Sequence, residues 1–186
     1  MQELARSLEK AKCKLALAVD FNLGDLFRFF AIDERPESVG KGYIDGTDLT
    51  RVARFLHVMP SSNYEDSISL IQSFMRSLDG DGDGHLLFTD LSRAFLSANN
   101  EEYQRLVVER PTFYDRANRI DQVFSMQTQA MITEVYRLLL FVEKKQQEML
   151  RQVEVIDGGI FKQDTSFMGT LFNIMNSTKG HLSFTE

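Results

Sequence analysis

Apolar residues recur at helical spacing through much of the first hundred positions. Tyr64, Ile68, Ile71, Phe74, Met75 and Leu78 fall three or four apart, and the spacing resumes at Leu91, Ala94 and Phe95. The pattern predicts a helix, a short polar loop and a second helix over residues 64–98. Ser62 and Glu65 have the spacing of a capping box at its start. Upstream, Leu23, Leu26, Phe27, Phe30 and Ile32 form a stripe that leads to Asp33. Leu49, Val52, Phe55 and Leu56 form another after it.

Asn99-Asn100 interrupts the pattern and divides the chain into residues 1–98 and 99–186. In the second part, helices are predicted over 101–109, ending near Pro111, over 113–124 and over 127–152. The last of these carries Met131, Val135, Leu138, Leu139 and Val142 on one face. Its stretch Glu143-Lys144-Lys145-Gln146-Gln147-Glu148 is polar all round and is expected to be solvated.

The polar loop between the first two helices reads Asp79-Gly80-Asp81-Gly82-Asp83-Gly84-His85-Leu86-Leu87-Phe88-Thr89-Asp90. It holds four carboxylates and no Lys or Arg, an arrangement that a hard, oxygen-seeking cation relieves. Aspartates at alternate positions can turn their oxygens toward one centre. Gly84 falls where a sharp backbone turn favours a residue without Cβ. Leu86 is apolar within this polar loop.

This stretch resembles the calcium loop of the EF-hand family, D-x-[DN]-x-[DN]-G-x5-E, with Asp in place of the final Glu. The resemblance covers residues 20–98. It implies that Asp79, Asp81, Asp83, the His85 backbone carbonyl and Asp90 hold Ca2+. Asp90 is one methylene shorter than Glu, and Leu87 has no side-chain oxygen to hold a water. The expected affinity is therefore on the order of 10⁻⁶–10⁻⁵ M, with Mg2+ as a competitor. The fold it implies is all-α. Paired EF-hand helix-loop-helix units would share a short two-stranded ribbon between loops, with a helical C-terminal lobe over 99–186.

A degenerate partner loop is expected over 33–48, with Gly42, Ile44 and Asp48 in the register of Gly84, Leu86 and Asp90 and with Ile44 pairing to Leu86. It is four residues too long, contains Pro36, and places Lys41 where an acidic ligand belongs. Two further echoes lie near the C-terminal end. Gly180-His181-Leu182-Ser183-Phe184-Thr185-Glu186 repeats Gly84–Asp90 after Asn176, one residue short of a full loop. Asp157-Gly158-Gly159-Ile160 with Asp164 forms a remnant whose first position, Val153, cannot ligate.

The 186 residues carry a net charge of −6, concentrated in the 79–90 loop, with no basic stripe, so nucleic acid is not expected as a partner. Cys13 is the only cysteine, which excludes an internal disulfide and suits a reducing, cytoplasmic setting, with cytoskeletal association as an option. No leader pattern and no membrane-length apolar run is present. His57, His85 and His181 are far apart and lack partners at metal spacing. No catalytic motif appears, so an enzyme is not expected.

Two functions follow from the resemblance. One is a calcium sensor whose helices repack to offer an apolar surface, with Met59, Met75 and Phe95 as groove candidates, to an amphipathic helix of a protein partner. The other is a scaffolding module in which the ion only stabilises the fold.

Overall fold

The structure, a computed structural model, describes residues 2–31, 42–59, 62–112 and 123–157, with the side chains of 152–157 outside the description. The described residues form seven helices and no strand: α1 (Gln2–Ala16), α2 (Leu23–Phe30), α3 (Gly46–Phe55), α4 (Tyr64–Leu78), α5 (Phe88–Phe95), α6 (Glu101–Val108) and α7 (Met126–Asp157). The protein is all-α, and α4, the 79–87 loop and α5 make the helix–loop–helix expected over 64–98.

Short polar side chains fix where the helices begin. Asn22 accepts from the Asp25 amide at 2.8 Å to start α2, and Asn100 accepts from Tyr103 at 3.1 Å to start α6. Asp45 accepts from the Thr47 and Asp48 amides at 2.9 and 3.0 Å, while Asp48 accepts in return from the Asp45 amide at 3.1 Å, so α3 opens with a reciprocal cap. At α4 the cap is Asn63, which accepts from the Glu65 amide at 3.1 Å, one residue after the Ser62 anticipated from spacing. The end of α3 is closed by His57 at φ 53°. Its amide reaches Arg54 O, and the Val58 amide reaches Ala53 O, a Schellman arrangement.

One apolar cluster runs through all seven helices. Leu8 and Leu15 of α1, Leu26 and Phe30 of α2, Val52 of α3, Phe74 of α4 and Phe95 of α5 are buried together with Val107 of α6 and Ile132, Tyr136 and Leu139 of α7. α1 packs mainly on α7, α3 on α4, and α2 on α5. Two polar groups tie the connections to α1. The Arg110 guanidinium donates to the carbonyls of Ala16, Ala18 and Phe21 at 2.7, 2.5 and 2.8 Å. Asp20 accepts from the Ser125 amide at 2.6 Å and from the Thr128 hydroxyl, which anchors the start of α7.

Several expectations change. α7 is longer than 127–152, and its polar stretch is not uniformly solvated. Glu143 and Gln146 are buried, because α7 is pressed against α4, where the Ser73 hydroxyl donates to Glu143 at 2.8 Å. Only residues 123–124 of the helix expected over 113–124 are described, and they form a turn. Between the two loops there is a single bridge, Ile44 to Leu86, rather than a ribbon among the described residues. The segments 153–164 and 176–186 lie outside the described side chains. No helix among the described residues is long and apolar enough to cross a membrane.

Candidate metal centre

The 79–90 loop is shaped by two glycines and one aspartate. Gly82 at φ 74° and Gly84 at φ 81° occupy the left-handed region, which L side chains rarely adopt. These turns direct the Gly82 and Gly84 amides onto the two oxygens of Asp79, at 2.8 and 2.9 Å. Asp83 accepts from the His85 amide at 2.7 Å. The result is a set of carboxylate oxygens from Asp79, Asp81 and Asp83 lying within 4.8 Å of one another. Desolvation raises the pKa of Asp79, but the amides of Gly84 and Gly82, a bond with Asp81 and the Asp83 amide together outweigh it. Asp79 is held below the ordinary aspartate value and is charged at neutral pH.

Asp90 lies outside this trio. One of its oxygens accepts from the Leu87 amide at 2.9 Å, which caps α5, and the other is 3.7 Å from Arg93. The His85 ring stacks on Tyr43 with centroids 4.1 Å apart and planes 9° from parallel, and its buried Nδ1 has no hydrogen-bond partner among the described residues.

The segment from Gly42 onward repeats this construction. Gly42 has φ 74°, as Gly84 has φ 81°. Ile44 and Leu86 exchange both amide bonds, at 2.9 and 2.8 Å, and both are fully buried. Asp48 accepts from the Asp45 amide as Asp90 accepts from Leu87, and each then meets an arginine three residues on, Arg51 at 3.3 Å and Arg93 at 3.7 Å. The register set by Gly42, Ile44 and Asp48 thus coincides with that of Gly84, Leu86 and Asp90. Asp33, Pro36 and Lys41 lie outside the described residues. Asp45 spends its carboxylate on the α3 cap.

Of the other sequence candidates, Phe95 is buried against Phe30, with ring centroids 5.7 Å apart; Met75 is buried and Met59 partly so. His57 is exposed and serves the α3 terminus, and His181 lies outside the described residues. Cys13 is partly buried, with Sγ 3.7 Å from the Ser97 hydroxyl. The Tyr43–His85 stack and the Asp45–Asp48 cap were not anticipated. Both follow from aligning the two loops at Gly42 and Gly84, where Tyr43 and His85 take the same position.

The trio offers only hard oxygen donors, which fits a calcium- or magnesium-sized cation and does not suit a soft metal. Comparisons with protein-family models, with curated proteins and with solved structures gave no match.

Proposed function

We propose that this chain is a calcium-binding protein of EF-hand type whose ion is held by Asp79, Asp81, Asp83, the His85 carbonyl and Asp90. The observation that carries the reading is the convergence of Asp79, Asp81 and Asp83 on a loop whose amides already fix Asp79. In this reading Asp90 leaves the Leu87 amide and Arg93 to join the ion, and that move is coupled to the packing of α5 on α4. That makes the α4–α5 packing the element through which binding acts, and a protein partner the recipient of the change. The coincidence of the Gly42 and Gly84 registers supports treating the two segments as a pair of hands, the first kept for pairing through Ile44.

A second reading, in which the ion only stabilises the fold, draws support from one observation. Tyr136 of α7 already packs on Phe30 of α2 and Phe74 of α4 and donates to Leu49 O of α3.

Isothermal titration of calcium into the wild type should give one site with Kd on the order of 10⁻⁶–10⁻⁵ M, weakened by magnesium. Asp79→Ala should abolish the heat. Unchanged heat in that variant rejects the assignment. A calcium-dependent rise in hydrophobic-dye fluorescence distinguishes the sensor from the stabilising role.

A further inference from the structure

α5 is a short helix with a different tie at each end. Its first turn holds Asp90, which accepts from the Leu87 amide at 2.9 Å and lies 3.7 Å from Arg93. Its last residue, Phe95, is followed by the cap Leu96, whose amide donates to Ser92 O at 2.8 Å. There the chain meets α1. Glu9 Oε2 accepts from the Ser97 hydroxyl at 2.8 Å and from the Ala98 amide at 3.2 Å. At the helical rise, Ser97 lies only about 10 Å beyond Asp90, so a displacement at one end of α5 is carried to the other.

Glu9 is held in turn. Its Oε1 lies 3.6 Å from Lys12 Nζ, and Lys12 is 4% exposed. Burial lowers the Lys12 pKa, and the Glu9 carboxylate opposes that. Ser97 is buried as well. Its carbonyl accepts from Gln104 Nε2 of α6 at 2.5 Å, and its hydroxyl is 3.7 Å from Cys13 Sγ. One carboxylate of α1 thus fixes the residues that follow α5.

α5 also makes contacts of another kind. Phe88 and Phe95 meet Phe27 and Phe30 of α2 edge-on, with ring centroids 5.8 and 5.7 Å apart. Apolar contact has no preferred direction and survives a small tilt, whereas a hydrogen bond weakens steeply as its angle closes. The Glu9 bonds are therefore the ones that a displaced α5 gives up first.

We propose that Glu9 is a latch on the ion-binding helix. It holds α5 where Asp90 caps its own helix, and Ser97 and Ala98 leave Glu9 as Asp90 joins the ion. Calcium binding is thereby opposed by α1 and felt at α1, beside Cys13. The latch rests on the calcium reading above and adds to it a positioning residue far from the loop in sequence. By reciprocity, weakening the latch strengthens calcium binding to the extent that calcium opens it.

The test uses the full chain. Ser97→Ala removes one bond to Glu9 and should tighten calcium binding in isothermal titration by about tenfold, the factor to which a bond to a charged group worth about 1.4 kcal/mol corresponds. A bond that served only stability would, when lost, leave calcium binding unchanged or weaken it, so tightening is specific to a latch. Ser7→Ala, which removes the bond from the Ser7 hydroxyl to Glu3 O within α1, should leave the affinity unchanged. In the wild type, calcium should raise the rate at which Cys13 reacts with a soluble maleimide several-fold, because Ser97 moves off it. An unchanged or weaker affinity in Ser97→Ala overturns the latch and leaves the calcium reading standing, as does a Cys13 rate that calcium does not alter. Absence of calcium heat in the wild type overturns both. Should Ser97→Ala fail to fold, Glu9→Gln combined with Lys12→Met, which removes both charges at nearly constant volume, should also tighten binding; no gain overturns the latch.

Discussion

Tyr43 and His85 stack face to face across the two loops, 4.1 Å apart and 9° from parallel. Each precedes by one residue a member of the Ile44–Leu86 bridge, so the stack and the bridge together clamp the loops to each other. Tyr43→Ala should therefore loosen the 79–90 loop while leaving every proposed ligand atom in the chain. An aromatic pair contributes about 0.5–1.5 kcal/mol, so calcium binding should weaken by roughly two- to tenfold. Calorimetric titration checks this, with far-ultraviolet circular dichroism confirming unchanged helix content. An unaltered affinity would show that the clamp does not support the ion site.

His57 and Gly84 test the same backbone property in opposite directions. His57 holds φ 53° at the end of α3 with an exposed side chain, so His57→Gly should stabilise the protein by about 1 kcal/mol. Gly84→Ala forces a Cβ into φ 81° and should destabilise it by about 1–2 kcal/mol, although open space surrounds the added atom. Denaturant midpoints of the two variants should move in opposite directions.

Tyr136 joins α7 to α3, and Tyr136→Phe should cost about 0.5–1.5 kcal/mol through the lost bond to Leu49 O. Burial pushes the Tyr136 hydroxyl pKa far above its ordinary value. Because the folded-state value is the higher one, its contribution to stability is complete below about pH 10 and is lost as pH rises beyond that. In an alkaline absorbance titration, Tyr136 should ionise only when the protein unfolds. Ionisation with the exposed tyrosines would place it outside the core.

Asp20 should control acid stability at the start of α7. Burial raises its pKa, but bonds from the Thr128 hydroxyl, the Ser125 amide and the Ser125 hydroxyl outweigh that and lower it below the ordinary value. A depressed carboxylate contributes fully above its unfolded pKa, about 3.9, and loses that contribution as pH falls through the folded value. Asp20→Asn should cost about 0.5–1.5 kcal/mol at neutral pH and flatten the stability profile below about pH 4. A profile that keeps the wild-type slope would remove Asp20 from the acid transition.

The amino-acid order by itself determined the 64–98 helix–loop–helix, because Tyr64–Leu78 and Leu91–Phe95 each write their period locally. It also determined the loop register, since Gly42 and Gly84 sit where the chain needs positive φ and Ile44 and Leu86 follow at a fixed offset. The convergence of Asp79, Asp81 and Asp83 was legible for the same reason: ligands in one short loop are placed by local turns. What only the tertiary structure decided is the position of α7 and the burial of Glu143 and Gln146. Their surroundings come from α4 and α1, far away in sequence, and a polar run carries no local sign that a neighbouring helix will cover it. The role of α1 was similarly hidden, because its mixed charges obscure the apolar face of Ala5, Leu8 and Leu15 until α7 packs against it. Spacing writes local geometry into the chain, whereas the choice of which faces meet is made by long-range packing.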